Sequence, residues 1–311
     1  MIITVTLNPA LDKTILLDIL KVGSVNRVCQ VREDAGGKGI NVSKMIRNLK
    51  GETLATGFLG GQTGARIRTQ LEQMEIQHGF IEVEGNTRTN IKVVDTKNKI
   101  YTDINEPGAA LAENVLIKLE NLIFSRVKEE DLIVFSGSIP QNVPKSIYAK
   151  WIIKANRIGV KTILDADGEV LRKGVQAGPY MIKPNIYELE MLFDRKIETM
   201  KEIVEAAQSL LEYGIKIIAV SMGEQGSVFV TQDKTLVAEA IKTDVKSTVG
   251  AGDSVVGALA YAISKKMDLE EGIELAIAAA TATIGNEGTE MGTLEQIKNL
   301  MKQVKIKSIR C

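Results

Sequence analysis

Apolar residues fall along this chain in two alternating rhythms. Short, nearly continuous runs are IITVTL (2–7), TLATGFLG (53–60), DLIVFSGS (131–138), VKTILDAD (160–167), YMIKPN (180–185) and IKIIAVSMG (215–223). Each ends in turn or polar residues and predicts a buried strand. Stretches with helical period follow most of them, around 39–50, 63–75, 111–127, 144–158, 198–213, 251–265, 269–284 and 292–303. Strand–helix alternation at this spacing predicts βαβ units and a parallel sheet covered by helices. Ligands of such sheets sit beyond the carboxyl ends of the strands. The polar residues just after each strand are therefore the first candidates for chemistry.

Two stretches break the alternation. Residues 13–33 and 88–104 read as strands with no long helix between them, and KVVDTKNKIYT has the form of a hairpin turning at Lys97-Asn98. Paired together they would make a small sheet serving as a lid; the alternative is that they extend the edge of the main sheet. The C-terminal run KQVKIKSIR reads as a solvated helix end with a short tail. With no internal repeat, low-complexity segment or Pro/Gly-rich linker, the expectation is one α/β domain over 1–311 with the lid inserted in it.

Composition narrows the chemistry. The 311 residues carry 39 basic and 39 acidic side chains, a formal net charge of zero, so the chain as a whole offers no field for nucleic acid or an anionic membrane. An anionic ligand must be held by a local cluster. His78 is the single histidine, which excludes multi-histidine metal sites and histidine relays. Cys29 and Cys311 lie far apart without metal spacing, the N-terminus MIITVTLNPALDK lacks the basic region of a signal peptide, and no apolar run approaches the ~20 residues that span a bilayer. These features predict a soluble cytoplasmic protein whose chemistry rests on carboxylates, lysines, arginines and backbone amides.

Five segments could carry it. Thr248-Val-Gly-Ala-Gly-Asp253-Ser254 opens a small-residue helix. Gly250 and Gly252 permit close backbone approach, the helix start presents unpaired amides to negative charge, and Asp253 is placed to accept a proton from a hydroxyl. Plain helix capping is the competing explanation. Asp34-Ala-Gly-Gly-Lys38-Gly39-Ile-Asn41 is a second glycine-rich helix entry, neither a Walker A loop nor a dinucleotide fingerprint. Asp12 ends TLNPALD, and Arg27 and Arg88 flank the lid segments; two arginines with Lys38 would suit a sugar phosphate, unless they are solvated edge charges. Lys183-Pro-Asn185-Ile-Tyr-Glu188 fits either a capping box or a carboxylate for hydrated Mg²⁺. Ser221-Met-Gly223-Glu-Gln-Gly226 fits a nucleotide-side loop or an ordinary strand connection.

In order, TLNPALD, GGKGIN, TRTN, SGSIP, KPNxxE, SMGxxG and STVGAGDS resemble the pfkB, or ribokinase-like, family of sugar kinases over residues 1 to about 290. Within it the chain is most similar to the 1-phosphofructokinases and next to the tagatose-6-phosphate kinases. The resemblance implies a three-layer α/β/α sandwich with a mostly parallel central sheet and a small β-sheet lid. It also implies ATP and Mg²⁺ as cofactors, a sugar phosphate as small-molecule partner, and a homodimer. Position by position, it implies Asp253 as the base and Gly250, Ala251 and Gly252 as the anion hole. Asp12, Gly37, Lys38 and Asn41 match sugar contacts, with Arg27 and Arg88 reaching the substrate phosphate. Asn185 and Glu188 match the Mg²⁺ and ATP-phosphate motif, with the metal held through water at Glu188. Lys183, Ser221, Gly223, Gly226 and Thr248 fall on the nucleotide side. The implied reaction converts fructose 1-phosphate to fructose 1,6-bisphosphate; tagatose 6-phosphate is the alternative acceptor, and a non-catalytic sugar-phosphate sensor is disfavoured by the presence of Asp253. The segment Asp165-Ala-Asp167-Gly168 departs from the family pattern, which leaves that loop outside the expected site.

Overall fold

The computed structural model describes residues 1–309, so Cys311 and the last arginine of the C-terminal run lie outside the described residues. The chain begins β1 (Ile2–Thr6), β2 (Ala10–Leu17), β3 (Gln30–Gly36), α1 (Lys38–Asn48), β4 (Thr53–Leu59), α2 (Gly61–Gln73), β5 (Gln77–Glu82), β6 (Arg88–Asp95) and β7 (Ile100–Asn105). It continues α3 (Glu113–Arg126), β8 (Leu132–Ser136), α4 (Ile147–Arg157), β9 (Lys161–Asp165), α5 (Gly168–Gln176), β10 (Met181–Ile182), α6 (Ile186–Phe193), α7 (Met200–Ser209) and β11 (Ile217–Ser221). It closes with β12 (Ser227–Val230), β13 (Thr235–Ala238), α8 (Ala251–Ser264), α9 (Leu269–Ile284), α10 (Leu294–Met301) and β14 (Ile306–Ser308).

The main sheet runs β14-β13-β12-β11-β10-β9-β8-β1-β4-β5. It is parallel from β11 through β5 and antiparallel across β11, β12, β13 and β14. Alternation along each strand builds two cores. Ile3, Val5, Ile133, Phe135, Ile218 and Val220 pack against α3 to α7. Ile2, Leu132, Val134, Ile217 and Ala219 pack against α1, α8, α9 and α10. The result is the expected three-layer arrangement of helices on both faces of a mostly parallel sheet.

The two excursions do not extend the main sheet. They form a separate four-stranded sheet in the order β3-β2-β6-β7, with β6 and β7 as the expected hairpin. Leu11 and Ala35 seat it on Ile40, Leu59, Ile67 and Phe80. Residues 18–29 are not strand, as the reading of 13–33 expected, but a loop in which Asn26 binds the backbone N–H and carbonyl of Lys21. Asparagine side chains compete in this way with ladder hydrogen bonds. The C-terminal run likewise departs from expectation: Ile306–Ser308 is a strand on the edge of the main sheet, because β13 offers a free ladder there.

Candidate active site

Strand β1 pairs with β8 on one side and β4 on the other, so the chain switches direction of travel across the sheet at β1. A cleft of about 620 Å³ opens beyond the carboxyl ends there, where an open α/β sheet places its ligands. Residues at or just past the strand ends line it: Asn8 after β1, Gly137 and Ser138 after β8, Asp165 at the end of β9 and Asp167 after it, Lys183 and Asn185 after β10, and Ser221 at the end of β11. The second sheet forms the opposite wall with Asp12, Thr14, Arg88, Asn90, Lys92, Asp103 and Asn105.

At the floor, Gly250 adopts φ +81°, a left-handed conformation that glycine tolerates best, and caps the N-terminus of α8. Gly252 faces the Lys183 ammonium so closely that an added methyl group would sit 3.4 Å from Nζ. Asp253 follows in the first turn, buried, with Oδ2 accepting from Asn41 Nδ2 at 2.8 Å. Burial, with the neighbouring Asp165 charge adding to it, pushes the Asp253 carboxyl up to about 6; Lys38, Asn41 and Lys183 limit the rise. A carboxyl so tuned can exchange a proton near neutral pH.

Asp165 organises the other charges. Its Oδ1 lies 3.3 Å from Lys38 Nζ and 3.4 Å from Lys183 Nζ, and its Oδ2 accepts from Ser136 Oγ at 3.3 Å. Burial alone would raise this carboxyl; the ammoniums of Lys183 and Lys38 more than offset it and hold it below the ordinary range. The same contact raises Lys38 and keeps it charged. Two cations thus stand fixed beside the N-terminus of α8, a concentration of positive potential suited to a transferring phosphoryl group. The segment 165–168, not expected in the site, lines the cleft with Asp165 at the end of β9 and Asp167 just beyond it.

The capping box at Asn185 and Glu188 is formed: Glu188 N–H donates to Asn185 Oδ1 at 2.8 Å and Asn185 N–H to Glu188 Oε2 at 2.9 Å. Both side chains also line the cleft, so the capping role and a ligand role coexist. Burial raises the Glu188 carboxyl. Four buried polar atoms on the cleft wall, Thr6 Oγ1, Asn41 Oδ1, Asn90 Oδ1 and Thr289 Oγ1, have no partner among the described residues. Buried polar groups are normally paired, so these mark places for a polar ligand.

Of the expected residues, the cleft gathers Asp12, Gly37, Lys38, Asn41, Arg88, Lys183, Asn185, Glu188, Ser221, Gly250, Gly252 and Asp253. Ala251, Gly223, Gly226 and Thr248 lie outside its lining. Gly226 is required by packing: at φ +92° its Cα sits so close to the Ala238 carbonyl that a Cβ would fall 2.0 Å from the oxygen. Of the three cations expected to clamp a sugar phosphate, Lys38 and Arg88 line the cleft and Arg27 does not. Lys38 is taken by Asp165, Arg27 is exposed on the 18–29 loop, and Arg88 spends its donors on the carbonyls of Asn8 and Glu106. Residues not anticipated include Asp165, Asn90 and Lys92. Asn90 Nδ2 donates to Asp12 Oδ1 at 2.9 Å, and Asp12 is raised by burial, which that bond and nearby cations only partly counter.

The model of the pfkB family of carbohydrate kinases matches residues 5–296, and the chain belongs to that family. It is 37% identical to the 1-phosphofructokinase of Borreliella burgdorferi, with 99% of each chain covered. It is 36% identical to that of Bacillus subtilis over 98% of this chain and 99% of the relative. Phosphofructokinase-2 from Escherichia coli, solved with substrates and products, superposes with a TM-score of 0.93 at 29% identity, covering 97% of this chain and 98% of that one. The protein is an ATP-dependent sugar kinase with the ribokinase-like fold.

Proposed function

We propose that the protein transfers the γ-phosphoryl group of ATP to the 6-hydroxyl of fructose 1-phosphate. The observation that carries this reading is the buried Asp253 at the start of α8, hydrogen-bonded by Asn41 and flanked by two lysines that Asp165 holds in place. As the sugar oxygen attacks phosphorus, its proton passes to the Asp253 carboxylate. The bond from phosphorus to the bridging oxygen breaks and ADP departs. Amides of Gly250, Ala251 and Gly252, with Lys38 and Lys183, offset charge on the phosphoryl oxygens in transit. Asp12, Asn41 and the Gly37 turn hold sugar hydroxyls, Arg88 shapes the cleft mouth, and the second sheet closes as a lid that excludes water.

ATP lies along Lys183, Asn185 and Ser221, with the Gly223–Gly226 turn and Thr248 framing that side from outside the lining. Mg²⁺ fits the donor set here. Glu188 keeps Oε1 without a protein partner, and among the described residues no three acidic, His or Cys side chains converge to cage a metal. The ion would take water and phosphate oxygens, with Glu188 binding through water, and would supply charge neutralisation.

The names of the relatives favour fructose 1-phosphate over tagatose 6-phosphate. The exposed apolar residues Val22, Val25, Val28, Ile100 and Ile104 of the second sheet and its loop suit pairing with a second copy, and a homodimer acting in the cytoplasm is the expected form. The Escherichia coli relative is described in a tetrameric inhibited form. The test is ADP release with Mg-ATP and fructose 1-phosphate, tagatose 6-phosphate, fructose 6-phosphate, fructose and ribose, with Asp253→Asn beside the wild type. The expected result is a maximum of kcat/KM at fructose 1-phosphate and a loss of kcat of about 10²–10⁴-fold in the variant. A maximum at tagatose 6-phosphate would overturn the substrate, and full activity in Asp253→Asn the base.

A further inference from the structure

In the unliganded chain Lys38 pairs with Asp165, Arg88 binds backbone carbonyls and Arg27 is exposed, which leaves room for a further cationic contact to the phosphate already on the acceptor. The register of the second sheet supplies one. Strand β2 leaves the cleft floor at Ala10, and β6 runs parallel to it from Arg88. Two rows of side chains then cross the sheet. The inner row is Asp34, Asp12, Asn90 and Asn105. The outer row, two residues and about 7 Å farther along each strand, is Arg32, Thr14, Lys92 and Asp103.

The two rows suit different parts of a sugar phosphate. Carboxylates and amides on the inner row match hydroxyls and repel a dianion. On the outer row Arg32 is engaged by Asp34 at 2.8 Å and by Glu290 and the Glu287 carbonyl. Among the described residues Lys92, its side chain 18% exposed, has only Asp103, at 3.6 Å, and Asp103 is 56% exposed in its side chain. A pair so long, with its carboxylate in solvent, is weak, and a phosphate entering the cleft would displace Asp103. Lys92 and Thr14 both line the cleft.

We infer that Lys92, with Thr14 beside it, receives the non-reacting phosphate of the acceptor and sets the preference for phosphorylated over free ketohexoses. This rests on the reading of the protein as a ketohexose-phosphate kinase. The test is steady-state kinetics of wild type, Lys92→Met and Lys92→Arg on fructose 1-phosphate, tagatose 6-phosphate, fructose 6-phosphate and free fructose, with thermal melting to verify folding. Lys92→Met is expected to raise KM for the preferred phosphorylated acceptor about 10- to 100-fold, as loss of a charged hydrogen bond does. It should lower kcat/KM on free fructose far less, so that the ratio of phosphorylated to free acceptor falls, and Lys92→Arg should keep most of the preference. If Lys92→Met retains the wild-type ratio of phosphorylated to free acceptor, or loses equally on both, the inference is wrong. A wild-type preference for tagatose 6-phosphate or fructose 6-phosphate would instead refute the substrate reading, while the Lys92 ratio is still read on that acceptor. A wild type that favours no phosphorylated acceptor over fructose overturns both.

Discussion

The floor and the roof of the cleft are built on opposite terms. At the floor, Asp253, Asp165 and Lys183 are buried, and each charge has a partner fixed by a strand end or a helix start. On the roof, β7 is exposed along its whole length, and two cleft-facing charges of β6 and β7, Lys92 and Asp103, share one long ion pair. Phosphoryl transfer needs preorganised charge in a dry place, and the floor supplies it. Holding an acceptor that must enter and leave needs cheaper contacts, and the roof supplies those. The division predicts that removing the carboxylate paired with a lysine has opposite consequences in the two regions.

The largest effect belongs to Asp165. Taking it to Ala leaves Lys183, only 6% exposed, facing Lys38 with no counter-charge between them. Breaking a buried pair from one side costs about 3–5 kcal/mol. The Asp165→Ala variant should therefore show a urea midpoint far below the wild type, and kcat should fall as well because the two lysines are no longer held. A wild-type midpoint would mean that water or relaxation already compensates the lysines, and the distinction between floor and roof would lose its basis.

Asp253 gives the next effect, and its sign is unusual for an acid. Its carboxyl rises from the ordinary 3.8 to about 6, so the folded protein favours the protonated form. The contribution of this group to stability is full below the unfolded value and is lost as pH rises through about 6, at a cost of up to about 3 kcal/mol above it. Asp253→Asn carries no charge, so in the unliganded protein it should be stabilising at pH 8 and close to neutral at pH 4. Activity runs the other way: the base works only when deprotonated, so wild-type kcat/KM should fall on the acid side with a midpoint near 6. Chemical denaturation at both pH values and a pH–rate profile read the two halves separately. A variant equally stable at pH 8 would remove the strain attributed to this carboxylate.

The same contrast explains what could be read in advance. The strand and helix rhythm was legible because two-sided burial of β1, β8 and β11 leaves continuous apolar runs, and Gly250 announced the start of α8 because few other residues fit its left-handed backbone. Asp165 was not legible: a carboxylate after a strand is ordinary until Lys38, 127 positions earlier, is seen to meet it. Helix α5 was missed because it is only nine residues long, and β14 because its pairing is supplied by β13. Lys92 was hidden for a related reason. Its place beside Thr14 depends on the register of β2 and β6, which local pattern does not encode.

The smallest effect sharpens the contrast most. Asp103 neutralises Lys92 across β6 and β7 much as Asp165 neutralises Lys183 at the floor, yet at 3.6 Å and with 56% of its side chain in solvent. Removing its charge by Asp103→Asn leaves the Lys92 ammonium at the wall of the open cleft rather than sealed in the core, so stability should change far less than at the floor. The acceptor phosphate would then no longer compete with a carboxylate for Lys92, and KM for fructose 1-phosphate should fall, by about two- to fivefold at low ionic strength, the scale of a weak exposed pair. Salt screens charges at this exposure, so the gain should shrink as ionic strength rises toward ~0.5 M. Acceptor KM measured at two salt concentrations decides it. A rise in KM at both would mean that Asp103 holds a sugar hydroxyl and belongs functionally with the inner row of Asp12 and Asn90. A fall at low salt alone would show that the same deletion which ruins the floor improves the roof.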